Sequence, residues 1–153
     1  MNGFFTKKSK IEKKFSKMTS EEILLDMLEF YTNDPTQRCV DEGGGCYYSD
    51  VFVCHKSEGC AIGRMLDPEL SKRLDNLYNT SSIKSIISLH SDLLPKWLLE
   101  HDEGFLTYVQ TLHDNSRNWT SFGLSEEGKS FVRKIIFECD FNVETFKEFI
   151  NED

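Results

Sequence analysis

Thr19-Ser20-Glu21-Glu22-Ile23-Leu24-Leu25-Asp26-Met27-Leu28-Glu29-Phe30-Tyr31 reads as an amphipathic helix that carries its own start signal. Thr19 and Glu22 make a capping box: the hydroxyl accepts from an otherwise free backbone N–H, and the carboxylate reaches back to the cap. Ile23, Leu24, Met27, Leu28 and Tyr31 then fall on one wide apolar stripe, the face a helix turns toward a core. Asn33-Asp34-Pro35 ends the helix, because the residue before a proline is pushed out of the α region.

The same signals recur downstream. Asp67-Pro68 is an N-cap followed by proline at the first helical position, and Leu70, Leu74, Leu77 and Tyr78 supply a buried face. Residues 81–89 are spaced for a short helix, and Leu94-Pro95 opens another that carries Trp97, Leu98 and Leu99. Phe105, Leu106, Val109 and Leu112 predict a helix ending near His113. Ser125 caps one running through Phe131, Val132, Ile135, Ile136 and Cys139, and Asn142 caps a last one with Val143, Phe146, Phe149 and Ile150.

One segment breaks this pattern. After the loop Asp41-Glu42-Gly43-Gly44-Gly45, the run from Cys46 to Cys54 is rich in the strand formers Tyr, Val and Phe. Lys56-Ser57-Glu58-Gly59 is a turn, and Cys60-Ala61-Ile62-Gly63-Arg64-Met65-Leu66 returns. The expectation is an α+β, mostly α fold: a compact helical domain with one β-hairpin near residues 46–64. A basic arm over residues 1–18 precedes a single globular domain over 19–153.

Charge narrows the partners. The arm holds six lysines and one acid, 6 − 1 = +5, and the remainder 12 basic and 25 acidic residues, 12 − 25 = −13, out of a total of −8. An acidic body repels phosphate backbones, so the expected partner is a basic or nucleic-acid-binding protein rather than nucleic acid itself. Ile11, Phe15 and Met18 share a helical face, which predicts that the arm lies on the body. No apolar run reaches the roughly 20 residues needed to span a bilayer, and no signal-peptide pattern opens the chain. These features predict a cytoplasmic protein that does not engage membranes, with reduced thiols; the oligomeric state is open at this point.

Several groupings invite chemistry. Cys39, Cys46, Cys54, His55 and Cys60 lie within 22 residues and make zinc the one cofactor with candidate ligands. Their spacing lacks the Cys-x2–4-Cys knuckle, and adjacent strand residues such as Cys54 and His55 point to opposite faces. Buried apolar cysteine with no cofactor is the plainer reading. Cys60 with Arg64 as activating cation and His55 as base is a second possibility, a thiol nucleophile in a small-molecule or nucleotide site. Arg64 has the fork that suits a phosphate or carboxylate. His113-Asp114, with His90 and Asp140, loosely resembles the metal-binding pattern of HD-type phosphohydrolases, but Asn115-Ser116-Arg117 departs from it. Helix punctuation by Asp102 and His113 explains the His-Asp pairs without a metal. Arg64, Asp114 and Trp119 are the candidate binding residues.

Cys60-Ala61-Ile62-Gly63-Arg64, Leu112-His113-Asp114 with Asn118-Trp119, and Gly123-Leu124-Ser125 with Gly128 stand in that order along the chain. Together they resemble a group of small bacteriophage and bacterial proteins of no known activity, over roughly residues 20–135. The resemblance carries over no catalytic residue. It implies a phage-encoded, non-enzymatic protein that inhibits or modulates a host protein by direct contact.

Overall fold

The computed structural model describes residues 10–38, 60–78 and 82–150. Among these are eight α-helices: α1 (Lys10–Phe15), α2 (Ser20–Asn33), α3 (Pro68–Tyr78), α4 (Ile83–His90), α5 (Lys96–Leu99), α6 (Glu103–Asp114), α7 (Glu126–Glu138) and α8 (Lys147–Ile150). One antiparallel hairpin joins them, β1 (Trp119–Thr120) with β2 (Gly123–Leu124), Trp119 opposite Leu124. The fold is α+β and mostly α. None of the described helices is long and apolar enough to cross a membrane.

Local chemistry starts these helices where the sequence places them. Thr19 Oγ1 accepts from Glu22 N at 3.1 Å while Glu22 Oε1 accepts from Thr19 N at 2.9 Å, the full capping box. Asp102 caps α6 through Phe105 N, Ser125 caps α7 through Gly128 N, and Asn142 receives Glu144 N. Each such cap contributes about 1 kcal/mol. The whole predicted stripe of α2, Ile23 through Tyr31, is buried. It shares one core with Leu106, Val109 and Leu112 of α6 and Val132, Ile135 and Ile136 of α7. Each large apolar side chain withdrawn from water contributes roughly 1.5–3 kcal/mol, so this shared core is a main source of the fold's stability.

Residues 10–18 pack onto the body. Phe15 is buried, and the buried carboxylate of Glu12 accepts from Asp67 N at 2.7 Å and from Trp97 Nε1 at 3.3 Å. Lys14 pairs with Asp26 of α2 at 3.1 Å.

The hairpin expected near residues 46–64 has its first limb and turn outside the described residues. Its return limb is not a strand. Arg64 N donates to Cys60 O at 2.9 Å, Met65 N to Ile62 O and Leu66 N to Gly63 O, so Cys60–Leu66 winds as a turn and a 3-10 helix. Cys60, Ala61, Ile62, Met65 and Leu66 are all buried. The backbone of this buried segment is satisfied by these short-range bonds rather than by a ladder partner.

The α6–α7 connection is braced by side chains. Trp119 Nε1 and Asn118 Nδ2 both donate to the carbonyl of Leu112, at 2.8 and 3.3 Å. Ser125 N donates to Asn118 O at 2.9 Å, and the Ser125 hydroxyl donates to Arg117 O. Gly128 lies so close that a Cβ there would stand 2.1 Å from Asn118 O.

Candidate functional site

Tyr31, in the last turn of α2, is fully buried and collects the polar residues that the sequence marks out. Its ring meets His113 edge-on at 5.0 Å and Trp119 at 6.1 Å, and the Arg64 guanidinium lies 5.9 Å from its centroid. Arg64, Asp114 and Trp119, chosen as binding residues, and His113, chosen as a metal or catalytic candidate, therefore belong to one neighbourhood.

Arg64 is only 7% exposed. Its Nη1 pairs with Asp26 Oδ1 at 2.9 Å, and Asp26 also takes Lys14. The guanidinium plane lies over Phe30 at 4.3 Å and near Phe15 at 5.2 Å. Aromatic faces attract a desolvated cation by up to about 2 kcal/mol, which offsets part of the cost of burying it. Its Nε is buried and makes no hydrogen bond among the described residues. Arg64 thus fastens the Cys60–Leu66 turn to α2, an ion-pair role rather than an exposed fork.

His113 is fully buried, and its Nδ1 lies 2.7 Å from Asp114 Oδ1. With the carboxylate ionised, Nδ1 carries the proton and donates. Burial pushes the His113 imidazole below its ordinary range, and the cations Arg38 and Arg64 add to that, while Asp114 opposes it. Arg38 Nε donates to His113 O at 2.7 Å and Nη2 to Asp114 O at 3.2 Å, a cation on the last carbonyls of α6. The same guanidinium stands over Trp119 at 5.7 Å. His113 and Asp114 close the end of α6 and join it to α2.

Cys60 is fully buried, and its Sγ accepts from Gly63 N at 3.4 Å. Cys39, Cys46, Cys54 and His55, the other members of the proposed thiol and zinc sets, lie outside the described residues. Among the described residues no three His, Cys, Asp or Glu side chains converge as a metal site would require.

The most exposed large apolar side chain among the described residues is on the hairpin. Phe122, at its tip, is 95% exposed. The tip is locked: Phe122 N donates to Thr120 Oγ1 at 3.1 Å, and that hydroxyl donates to Gly123 O at 3.1 Å. Beside it runs a groove of about 550 Å³ whose rim carries Glu29, Asn33, Lys129, Glu148 and Phe149. Lys129 pairs with Glu126 at 3.2 Å. A second large aromatic, Phe137 of α7, is 85% exposed. Sequence reading missed Phe122, because a hairpin with strands of two residues is too short to show alternation. It also missed Asp26 and Arg38, whose partners are remote in the chain. Compared with known proteins, the chain matches no protein-family model, no curated protein and no solved structure.

Proposed function

We propose that this chain is a binding protein that engages a basic protein through the hairpin tip and the groove beside it. The observation that carries the reading is Phe122: a large apolar ring held out in water by a locked turn, next to the exposed carboxylates Glu29 and Glu148. Exposed aromatics of this kind anchor interfaces when they enter a partner's pocket. Carboxylates around the anchor steer it toward positive surfaces, and the charge of −13 on residues 19–153 acts in the same direction. On the resemblance to small bacteriophage proteins, the proposed partner is a host protein, the proposed compartment the host cytoplasm and the proposed effect inhibition or modulation. Buried Arg64, His113 and Cys60 then serve as the scaffold behind this face.

The test replaces Phe122 with a photo-crosslinking phenylalanine analogue and irradiates the protein in host lysate at near-physiological salt. The expected result is one dominant adduct with a protein of basic surface, competed by unlabelled wild-type chain and lost in the Glu29→Lys/Glu148→Lys variant. An empty lane, or an adduct indifferent to charge reversal, overturns the reading.

A further inference from the structure

Ser20 and His101 are remote in sequence and adjacent in space: Ser20 Oγ lies 2.7 Å from His101 Nδ1. Ser20 is the first residue of the 14-residue α2, whose cap is made by Thr19 and Glu22, so the Ser20 hydroxyl is left to the imidazole. His101 sits in the turn between α5 and α6, its backbone N–H held by Leu98 O at 3.1 Å. Partial burial holds its imidazole below the ordinary range against the opposing charge of Glu100, which favours the neutral ring. Ser20 also lines a surface pocket of about 450 Å³ whose apolar wall is Leu25 and Phe141. The two carboxylates that line the pocket are engaged elsewhere: Glu21 accepts from Thr145 Oγ1 at 2.8 Å and Asn142 N at 3.3 Å, and Glu22 accepts from Thr19 N. First-turn N–H groups of a helix have no intrahelical acceptor and carry partial positive charge.

We propose that Ser20 and His101 form a serine–histidine dyad that hydrolyses small acyl esters bound in this pocket, with Ser20 as nucleophile and His101 as general base. Ser20 Oγ attacks the ester carbonyl carbon while its proton passes to His101 Nδ1. The carbonyl π pair becomes an oxyanion beside the N–H groups of Ser20 and Glu21, the arrangement that stabilises such intermediates. Collapse breaks the bond to the alkoxy oxygen, which leaves with the proton from His101. Water then attacks the acyl-Ser20 ester by the same route and releases the carboxylic acid and the free serine. The sum is ester plus water giving acid plus alcohol. The dyad shares no residue with the groove beside Phe122, so either reading can fail alone.

The experiment treats the purified full chain with a fluorophosphonate probe and reads the adduct by intact mass and peptide mapping. One adduct at Ser20 is expected, absent in Ser20→Ala. The labelling rate should fall at least ~100-fold in His101→Gln, the lower end for loss of a general base. His101→Asn repeats the measurement, and circular dichroism confirms that each variant is folded. No adduct on folded wild type, an adduct that persists in Ser20→Ala, or an unchanged rate in the folded histidine variants overturns the proposal.

Discussion

Gly128→Ala puts a methyl group where the chain has no room for it. The added Cβ would stand 2.1 Å from Asn118 O and 3.0 Å from both Asn118 C and Leu124 Cδ2. An ordinary C–H···O contact needs about 3.3–3.6 Å. Asn118 O is not free to retreat, because it receives Ser125 N at 2.9 Å while its own side chain and the Trp119 indole are tied to Leu112 O. Overpacking of this kind costs about 1–3 kcal/mol, and straining the Ser125 hydrogen bond adds about 1 kcal/mol. Alanine's better helix propensity returns about 1 kcal/mol. The net expectation is a loss of about 1–3 kcal/mol, or a melting temperature lower by roughly 2–12 °C in a chain of this size. Gly104→Ala is the matched control. Its Cβ meets only the Asp102 carboxylate oxygen, at 2.8 Å, and that side chain can rotate. There the propensity gain and a weakened cap, each about 1 kcal/mol, nearly cancel. Urea titration followed by tryptophan fluorescence, with thermal melts by circular dichroism, measures both variants. A Gly128→Ala protein as stable as wild type would refute the brace between α6 and α7.

Two further outcomes follow from the Tyr31 neighbourhood. Burial holds the His113 imidazole below its ordinary value of 6.5, so below that pH the unfolded chain takes up a proton that the folded chain refuses. Stability should be complete above pH 6.5 and decline as pH falls below it, by up to about 1.4 kcal/mol per pH unit. His101, also lowered, contributes with the same sign. Urea midpoints at pH 7.5 and 5.5 test this; a wild-type midpoint that does not move counts against it, and His113→Gln should flatten the profile. Arg64→Ala removes the ion pair with the largely buried Asp26 and the ring contacts with Phe30 and Phe15. Breaking a buried pair costs about 3–5 kcal/mol, and because Lys14 still reaches Asp26 the loss should sit at the low end, about 3 kcal/mol; a loss under about 1 kcal/mol by urea denaturation would show that Arg64 does not fasten the turn to α2.

The helices were legible because their signals are local. Thr19 with Glu22, Asp102, Ser125 and Asn142 each act within three residues, and the stripe of α2 needs only its own periodicity. Cys60–Leu66 was misread for the complementary reason. Its composition suits a strand, but its surroundings bury every face, and only tertiary context supplies that information. The site was half legible. Arg64, His113, Asp114 and Trp119 stood out by chemistry, yet their meeting around Tyr31 depends on contacts between distant segments. Tyr31 itself reads as plain core. The Ser20–His101 contact spans 81 positions, and each residue taken alone looks like the punctuation of a helix start.

The way Glu12 is held has a kinetic consequence. Because its carboxylate binds Asp67 N and the Trp97 indole, Lys10, Lys13, Lys14 and Lys17 are carried at a defined place on an acidic body rather than swinging on a tether. A positive pole fixed to a negative bulk is an electric dipole of set direction. In the field of a charged partner such a molecule rotates as it diffuses, so that a larger share of collisions arrives with one chosen side leading. Salt would erase that alignment before it erased the contact itself.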